Sequence, residues 1–130
     1  MRAKPSLVAL LLLMVVACAS PREKAYQQAV KDYKRNEADV AAFARANVKQ
    51  LVAAIRTYHS TVGRWPQTYR EFGGFVVAHS VPLDLTAFND ITFAALEDGS
   101  VQIRYDANCS RFSNKQYQFT QTGTVNVKAR

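Results

Sequence analysis

The sequence predicts an α+β fold in which a long N-terminal α-helix packs on a small antiparallel β-sheet. Residues 22–62 contain no glycine or proline, and apolar residues recur there every three or four positions, which is the period of an α-helix. Later in the chain, apolar and polar residues alternate in short runs, which is typical of strands with one buried face. Such a sheet needs a cover, and the apolar side of the long helix is the element large enough to provide it.

Residues 1–17 are predicted to be a signal peptide. Arg2 and Lys4 precede an apolar run over residues 7–17, which is too short to cross a bilayer core of about 30 Å. The four residues that end at Cys18, "VVAC", resemble the lipobox of bacterial lipoproteins. This resemblance implies cleavage before Cys18, a diacylglyceryl group on its sulfur, and acylation of the new amino group, for example by palmitate. An ordinary signal peptide that ends near a cysteine is the alternative.

The lipobox resemblance also implies a location in the bacterial cell envelope. Acyl chains hold a protein on a membrane, since each buried methylene contributes about 0.8 kcal/mol. Ala19 follows the cysteine, whereas retention of Gram-negative lipoproteins in the inner membrane usually goes with aspartate at that position. The outer membrane is therefore favoured over the inner, and which leaflet the protein faces stays open.

The long helix is predicted to begin directly after the lipidated cysteine. Ser20 can cap it, Pro21 suits its first turn and Glu23 completes a capping box, while Gly63 provides the stop. About forty residues would extend on the order of 60 Å, twice the width of a domain of this size. We therefore predict a lipid anchor and helical stalk over residues 18–39 and an α+β domain over residues 40–130. The expected apolar stripe comprises Tyr26, Val30, Tyr33, Val40, Ala44, Val48, Leu51, Ile55, Tyr58 and Val62.

The remainder of the chain is predicted to be one short helical turn followed by strands. Thr68 and Glu71 form a second capping box, and Gly73-Gly74 should end that turn. Asp98-Gly99 indicates a hairpin, and Thr122-Gly123 indicates one more weakly. The predicted extended segments are residues 75–79, 91–96, 101–105, 116–121 and 124–128.

The segment "ANVKQLVAAIRTYHSTVGRWPQTYREF", residues 46–72, resembles the end of the long helix in type IV pilins and type II secretion pseudopilins. Tyr58, Gly63, Pro66 and Phe72 stand at matching positions. The resemblance implies a pilin-like α+β domain that serves as a structural or interaction module, as an accessory of a pilus or type II secretion-like apparatus. Pilins begin with a prepilin peptidase site and a long hydrophobic helix, whereas in this chain the lipobox-like "VVAC" stands in that place. The resemblance therefore does not imply filament assembly by the usual route.

Positive charge is concentrated in the first half of the chain. Residues 22–64 hold nine Lys or Arg against four Asp or Glu, whereas residues 65–130 hold six of each. Such a helix could bind anionic lipid headgroups, lipopolysaccharide, peptidoglycan carboxylates or DNA. For DNA, exposed aromatics interleaved with the basic residues would be expected, and a solvated helix face is the simpler interpretation. The candidate polyanion-binding residues are Lys24, Lys31, Lys34, Arg35, Arg45, Lys49 and Arg56.

Enzymatic signals are weak, and we predict no catalytic residue, metal site or cofactor. His59 and His79 are the only histidines and lack metal-ligand spacing. Cys109, the only thiol left once Cys18 is acylated, is interpreted as a small buried hydrophobe, with an intermolecular disulfide as the alternative. Trp65, next to a proline at the expected junction of helix and sheet, is interpreted as a core residue. The sequence thus favours a non-enzymatic, lipid-anchored module with an envelope protein as its partner, and it identifies neither that partner nor the oligomeric state.

Overall fold

The computed structural model describes residues 20–129, in which two helices precede a three-stranded antiparallel sheet. The long helix α1 spans Pro21–Val62, and α2 spans Tyr69–Ala78. The strands are β1, Phe88–Ala95, β2, Val101–Ala107, and β3, Gln121–Val127, in the order β1-β2-β3. Short 3-10 turns lie at Leu85–Ala87 and Ser110–Phe112. The predicted α+β fold, with a long helix packed on a small antiparallel sheet, is confirmed.

Both ends of α1 have the predicted local chemistry. The Ser20 hydroxyl accepts a hydrogen bond from the Glu23 amide at 3.2 Å, which satisfies one of the unpaired N–H groups of the first turn. At the other end the Gly63 amide donates to the His59 carbonyl, and Gly63 has φ +87°. Only glycine adopts this left-handed backbone without strain.

The described residues form two compact units, residues 20–36 and residues 37–129. In the second unit the buried side of α1 packs on one face of the sheet and on α2. In the sheet Phe93 pairs with Ile103, and Ile103 pairs with Val125. The most deeply buried side chains are Phe72, Leu51, Ile55, Ile91, Ile103, Val101 and Val127.

A smaller apolar cluster lies beside this core, where Val40 and Ala44 of α1 meet Ala107 and Cys109. Phe112 and Phe119 cover it partly. Cys109 is 3% exposed, so its predicted burial is confirmed.

The prediction of a strand at residues 75–79 is wrong. Gly73 and Gly74 do not end α2, which continues to Ala78, and Phe75 and Val76 are buried on it. Each glycine inside a helix costs about 1 kcal/mol, but burial of these two apolar side chains outweighs that preference.

The predicted strand at residues 116–121 is also wrong, since only Gln121 belongs to a strand. Asn114 Oδ1 instead accepts hydrogen bonds from the amides of Gln116 and Tyr117. Such local side-chain bonds compete with sheet pairing. The weaker hairpin signal at Thr122-Gly123 is wrong as well, because both residues lie inside β3. The Asp98-Gly99 hairpin between β1 and β2 is confirmed, with Gly99 at φ +84°.

Candidate functional site

In the first unit the predicted basic residues are exposed on α1. Lys24, Lys31 and Arg35 are seven and four residues apart and therefore share a helix face. Arg35 contacts Asp32 at 3.2 Å in an exposed ion pair, which neutralises one charge but adds little stability. Within residues 20–129 the ammonium groups of Lys24, Lys31 and Lys34 have no carboxylate partner. This face is open to an anionic partner.

In the second unit Arg45 and Lys49 are exposed one helical turn apart on α1. They line a shallow depression of about 330 Å³ that Tyr105 and Gln121 border from the sheet. Neither basic side chain has an ion-pair partner within the described residues. They provide a second, smaller patch of positive charge.

Arg56 differs from the other six candidate polyanion-binding residues because its side chain is partly buried. Its Nε atom is buried and has no hydrogen-bond partner in the described part of the chain. The side chain lines a cavity of about 260 Å³ together with His59, Ser60, Trp65 and Ala129. Nothing in the sequence distinguishes Arg56 from Arg45, because the partners in this cavity include residues distant from it in sequence, such as Ala129.

Trp65 lines both this cavity and a second depression of about 480 Å³. Its ring lies against His59 with centroids 4.1 Å apart, and its Nε1 donates a 2.9 Å hydrogen bond to the Gly99 carbonyl. The side chain packs on the core yet stays partly exposed. Trp65 therefore packs against the core, as predicted, and also lines these two depressions.

A polar network that the sequence did not indicate joins α1 to α2. The Tyr58 hydroxyl and the Arg64 guanidinium both donate to Glu71 Oε1, and the Gln67 amide donates to Oε2 at 3.2 Å. The hydrogen bonds from Tyr58 and Arg64 lower the pKa of Glu71. Burial, followed by the bond to Glu71, raises the pKa of Tyr58. The capping box accounts for the Glu71 amide, which donates to Thr68 Oγ1, but the side chain of Glu71 binds the helix before it.

The nucleophilic and imidazole side chains are scattered. Burial raises the pKa of the Cys109 thiol, whose Sγ lies 3.5 Å from the Ala107 carbonyl oxygen. His79 is exposed at the end of α2, with its ring 4.3 Å from that of Phe75. Within residues 20–129 no group of three His, Cys, Asp or Glu side chains is placed to hold a metal ion.

The lipidation site predicted at Cys18 lies outside the described residues, so its prediction stands on the sequence. None of the described helices is both long and apolar enough to cross a membrane.

Comparison with protein-family models, with curated proteins and with solved structures finds no match for this chain.

Proposed function

We propose that this chain is a lipid-anchored protein of the bacterial cell envelope that acts as a non-enzymatic structural or interaction module. The observation that carries the proposal is the lipobox-like "VVAC" that ends at Cys18, followed at once by the capped start of α1 at Pro21. With an acylated Cys18, helix α1 would begin three residues from the membrane. The sorting preference implied by Ala19 favours the outer membrane.

The order of elements supports a role as an accessory of a pilus or type II secretion-like apparatus. A long helix stopped by Gly63, a turn at Pro66, a short helix and an antiparallel sheet follow one another, as the resemblance of residues 46–72 to pilins implies. Shared architecture alone is weak support for function. In-cell crosslinking of the lipoprotein, followed by mass spectrometry, tests this role, and recovery of no pilus or secretion component would contradict it.

The lipid anchor is tested with two cysteine variants of the full chain expressed in a Gram-negative host. Cys18→Ala should lose the acyl mass and leave the membrane fraction, because the thiol that takes the diacylglyceryl group is gone. Cys109→Ala is the matched control: Cys109 is buried in the small apolar cluster, so that variant should remain acylated. A Cys18→Ala protein that stays on membranes through a high-salt wash would contradict the proposal.

The alternative function is a polyanion-binding lipoprotein that holds peptidoglycan, lipopolysaccharide or DNA with α1. It is favoured by the exposed, unpaired lysines of the first unit and by Arg45 and Lys49 in the second. Binding of this kind weakens steeply as salt rises, because counterions are released from the polyanion.

The alternative is tested with a triple variant in which Lys24, Lys31 and Arg35 become Gln. In titrations with duplex DNA, the slope of the logarithm of the binding constant against the logarithm of the salt concentration should then fall in magnitude by about one unit per lost phosphate contact. The matched control replaces Arg104, Lys115 and Lys128, which are exposed and lie outside the helices, so the net charge changes equally. Parallel measurements with lipopolysaccharide and peptidoglycan fragments identify the polyanion. Wild-type protein that binds none of the three near physiological salt removes this alternative.

A further inference from the structure

The strand β3 leaves one edge of the sheet open. It is the last strand in the order β1-β2-β3, and within residues 20–129 its backbone is hydrogen-bonded to no backbone segment other than β2. It spans seven residues, none of them charged and none of them proline, and its register with β2 contains no bulge. A long, flat and uncharged edge of this kind is a template for pairing with another strand.

The opposite edge of the sheet, at β1, is protected. The register of β1 with β2 shifts between Phe88 and Asp90, and Asp90 adds an exposed charge to the strand. The Tyr69 hydroxyl of α2 lies 3.3 Å from the Phe88 carbonyl oxygen. Bulges, charges and covering elements are the features by which native sheets block edge-to-edge association. β1 has all three, whereas β3 has neither a bulge nor a charge.

The hydrogen-bond pattern of the sheet shows which backbone groups of β3 point outward. At the β1–β2 hairpin the Leu96 amide donates to the Ser100 carbonyl at 2.9 Å, and hydrogen-bonded pairs recur at every second residue of an antiparallel ladder. The backbone groups of Arg104 are therefore directed at β1 and away from β3. Since Thr124 lies opposite Arg104, the N–H and C=O groups of Thr124 point to the open edge. The same holds for the residues two positions before and after it.

We propose that the open edge of β3 pairs antiparallel with β3 of a second copy of this chain, about a two-fold axis at Thr124. In that register Thr124 meets its own counterpart as a hydrogen-bonded pair, and Thr122 meets Asn126. These three side chains are exposed on one face of the sheet, where cross-strand polar pairs of this kind stabilise strand pairing.

The occupant of the edge follows from the self-complementarity of β3. The antiparallel register places no two like charges opposite each other, and a two-fold contact closes after two copies, so that neither β3 edge remains open. The contact depends on neither the lipid anchor nor the basic residues of α1.

Self-association of the full chain is measured by sedimentation equilibrium in a density-matched detergent, over a series that reaches about 0.1 mM. The wild type should show a monomer–dimer equilibrium. Thr124→Lys should raise the dimer Kd about fivefold or more, because two lysines then stand opposite each other at the axis. Thr92→Lys is the matched control: both threonines are exposed neighbours of Arg104, but Thr92 lies on β1, so its dimer Kd should equal that of the wild type. A wild type that is monomeric throughout, or equal Kd values for the two variants, overturns the proposal.

A crosslinking variant tests the register and remains informative if Thr124→Lys does not fold. In a Cys109→Ala background, Thr124→Cys should be linked to a second copy by a short bismaleimide, because a hydrogen-bonded pair holds its Cα atoms about 5.5 Å apart. Thr92→Cys in the same background should give little linked dimer, since the two β1 strands would lie at the outer edges of the joined sheet. Mass spectrometry of the linked peptides separates this product from any link through an unmodified Cys18. Equal yields from the two variants would overturn the proposal.

Discussion

The Tyr58 hydroxyl donates a hydrogen bond to the Glu71 carboxylate, and this bond joins the end of α1 to the first turn of α2. Arg64, in the connection between the two helices, donates to the same carboxylate oxygen. The segment between α1 and α2 is therefore held by the Glu71 carboxylate, which accepts hydrogen bonds from α1 and from the segment itself. The charge of Glu71 makes this link dependent on pH.

The first prediction concerns the loss of this link in acid. Since the folded-state pKa of Glu71 lies below its ordinary value, which is about 4.3, the unfolded state takes up the proton first as pH falls. The stabilisation is thus complete above that ordinary value and is lost as pH falls through the folded-state pKa. Thermal melts of wild type and Glu71→Gln should differ at pH 7, and the difference should shrink progressively below about pH 4.3. Glu97→Gln, in the exposed β1–β2 turn, controls for the removal of one negative charge. A difference in melting temperature between wild type and Glu71→Gln that stays constant with pH would contradict the prediction.

The second prediction uses two exposed glycines with opposite expected effects. Gly63→Ala should destabilise the protein by about 1 to 2 kcal/mol, because alanine is strained at φ +87°. Gly74→Ala should stabilise it by about 0.5 to 1 kcal/mol, since Gly74 lies inside α2 and a Cβ there meets no atom within 4 Å. Denaturant unfolding monitored by circular dichroism measures both. Effects of the same sign would show that the end of α1 or the course of α2 is wrongly described.

The third prediction concerns Gly123 in β3, which pairs with Tyr105 in β2. A Cβ at Gly123 would overlap the hydroxyl and ring of Tyr105, so Gly123→Ala should cost about 1 to 3 kcal/mol. In a Tyr105→Leu background the same substitution should cost much less, because the overlapping ring is absent. A double-mutant cycle in denaturant measures this coupling, and additive effects would exclude the ring as the cause.

The fourth prediction concerns the state of Cys109. Because its thiol is buried and burial raises its pKa, native protein should react slowly with iodoacetamide and unfolded protein rapidly. Mass spectrometry of the alkylated, Cys18-acylated protein in buffer and in denaturant makes the comparison. Fast native alkylation, or a dimer that is sensitive to reductant, would place the thiol at the surface.

The elements that could be predicted from the sequence are those set by short-range interactions. Ser20 and Glu23 start α1, Gly63 stops it and Asp98-Gly99 turns β1 into β2, each through bonds between residues at most four apart. The α+β fold could also be predicted from the sequence, because the spacing of apolar residues, every three or four positions in α1 and every second position in the strands, shows which faces are apolar. The same reading found the exposed basic residues of α1, because charged side chains without partners remain at the surface.

The tertiary structure decided the features that depend on contacts between residues that are not neighbours in the sequence. Phe75 and Val76 are helical because α2 buries them in the core, against the local preference of two glycines. Gly123 lies in β3 opposite Tyr105, whose ring and hydroxyl occupy the space that a Cβ at position 123 would need. The Arg56 cavity and the Tyr58 link to Glu71 form only when segments far apart in sequence meet around Trp65 and α2, so no local pattern records them. Packing free energy that is summed over such contacts outweighs propensities of about 1 kcal/mol per residue.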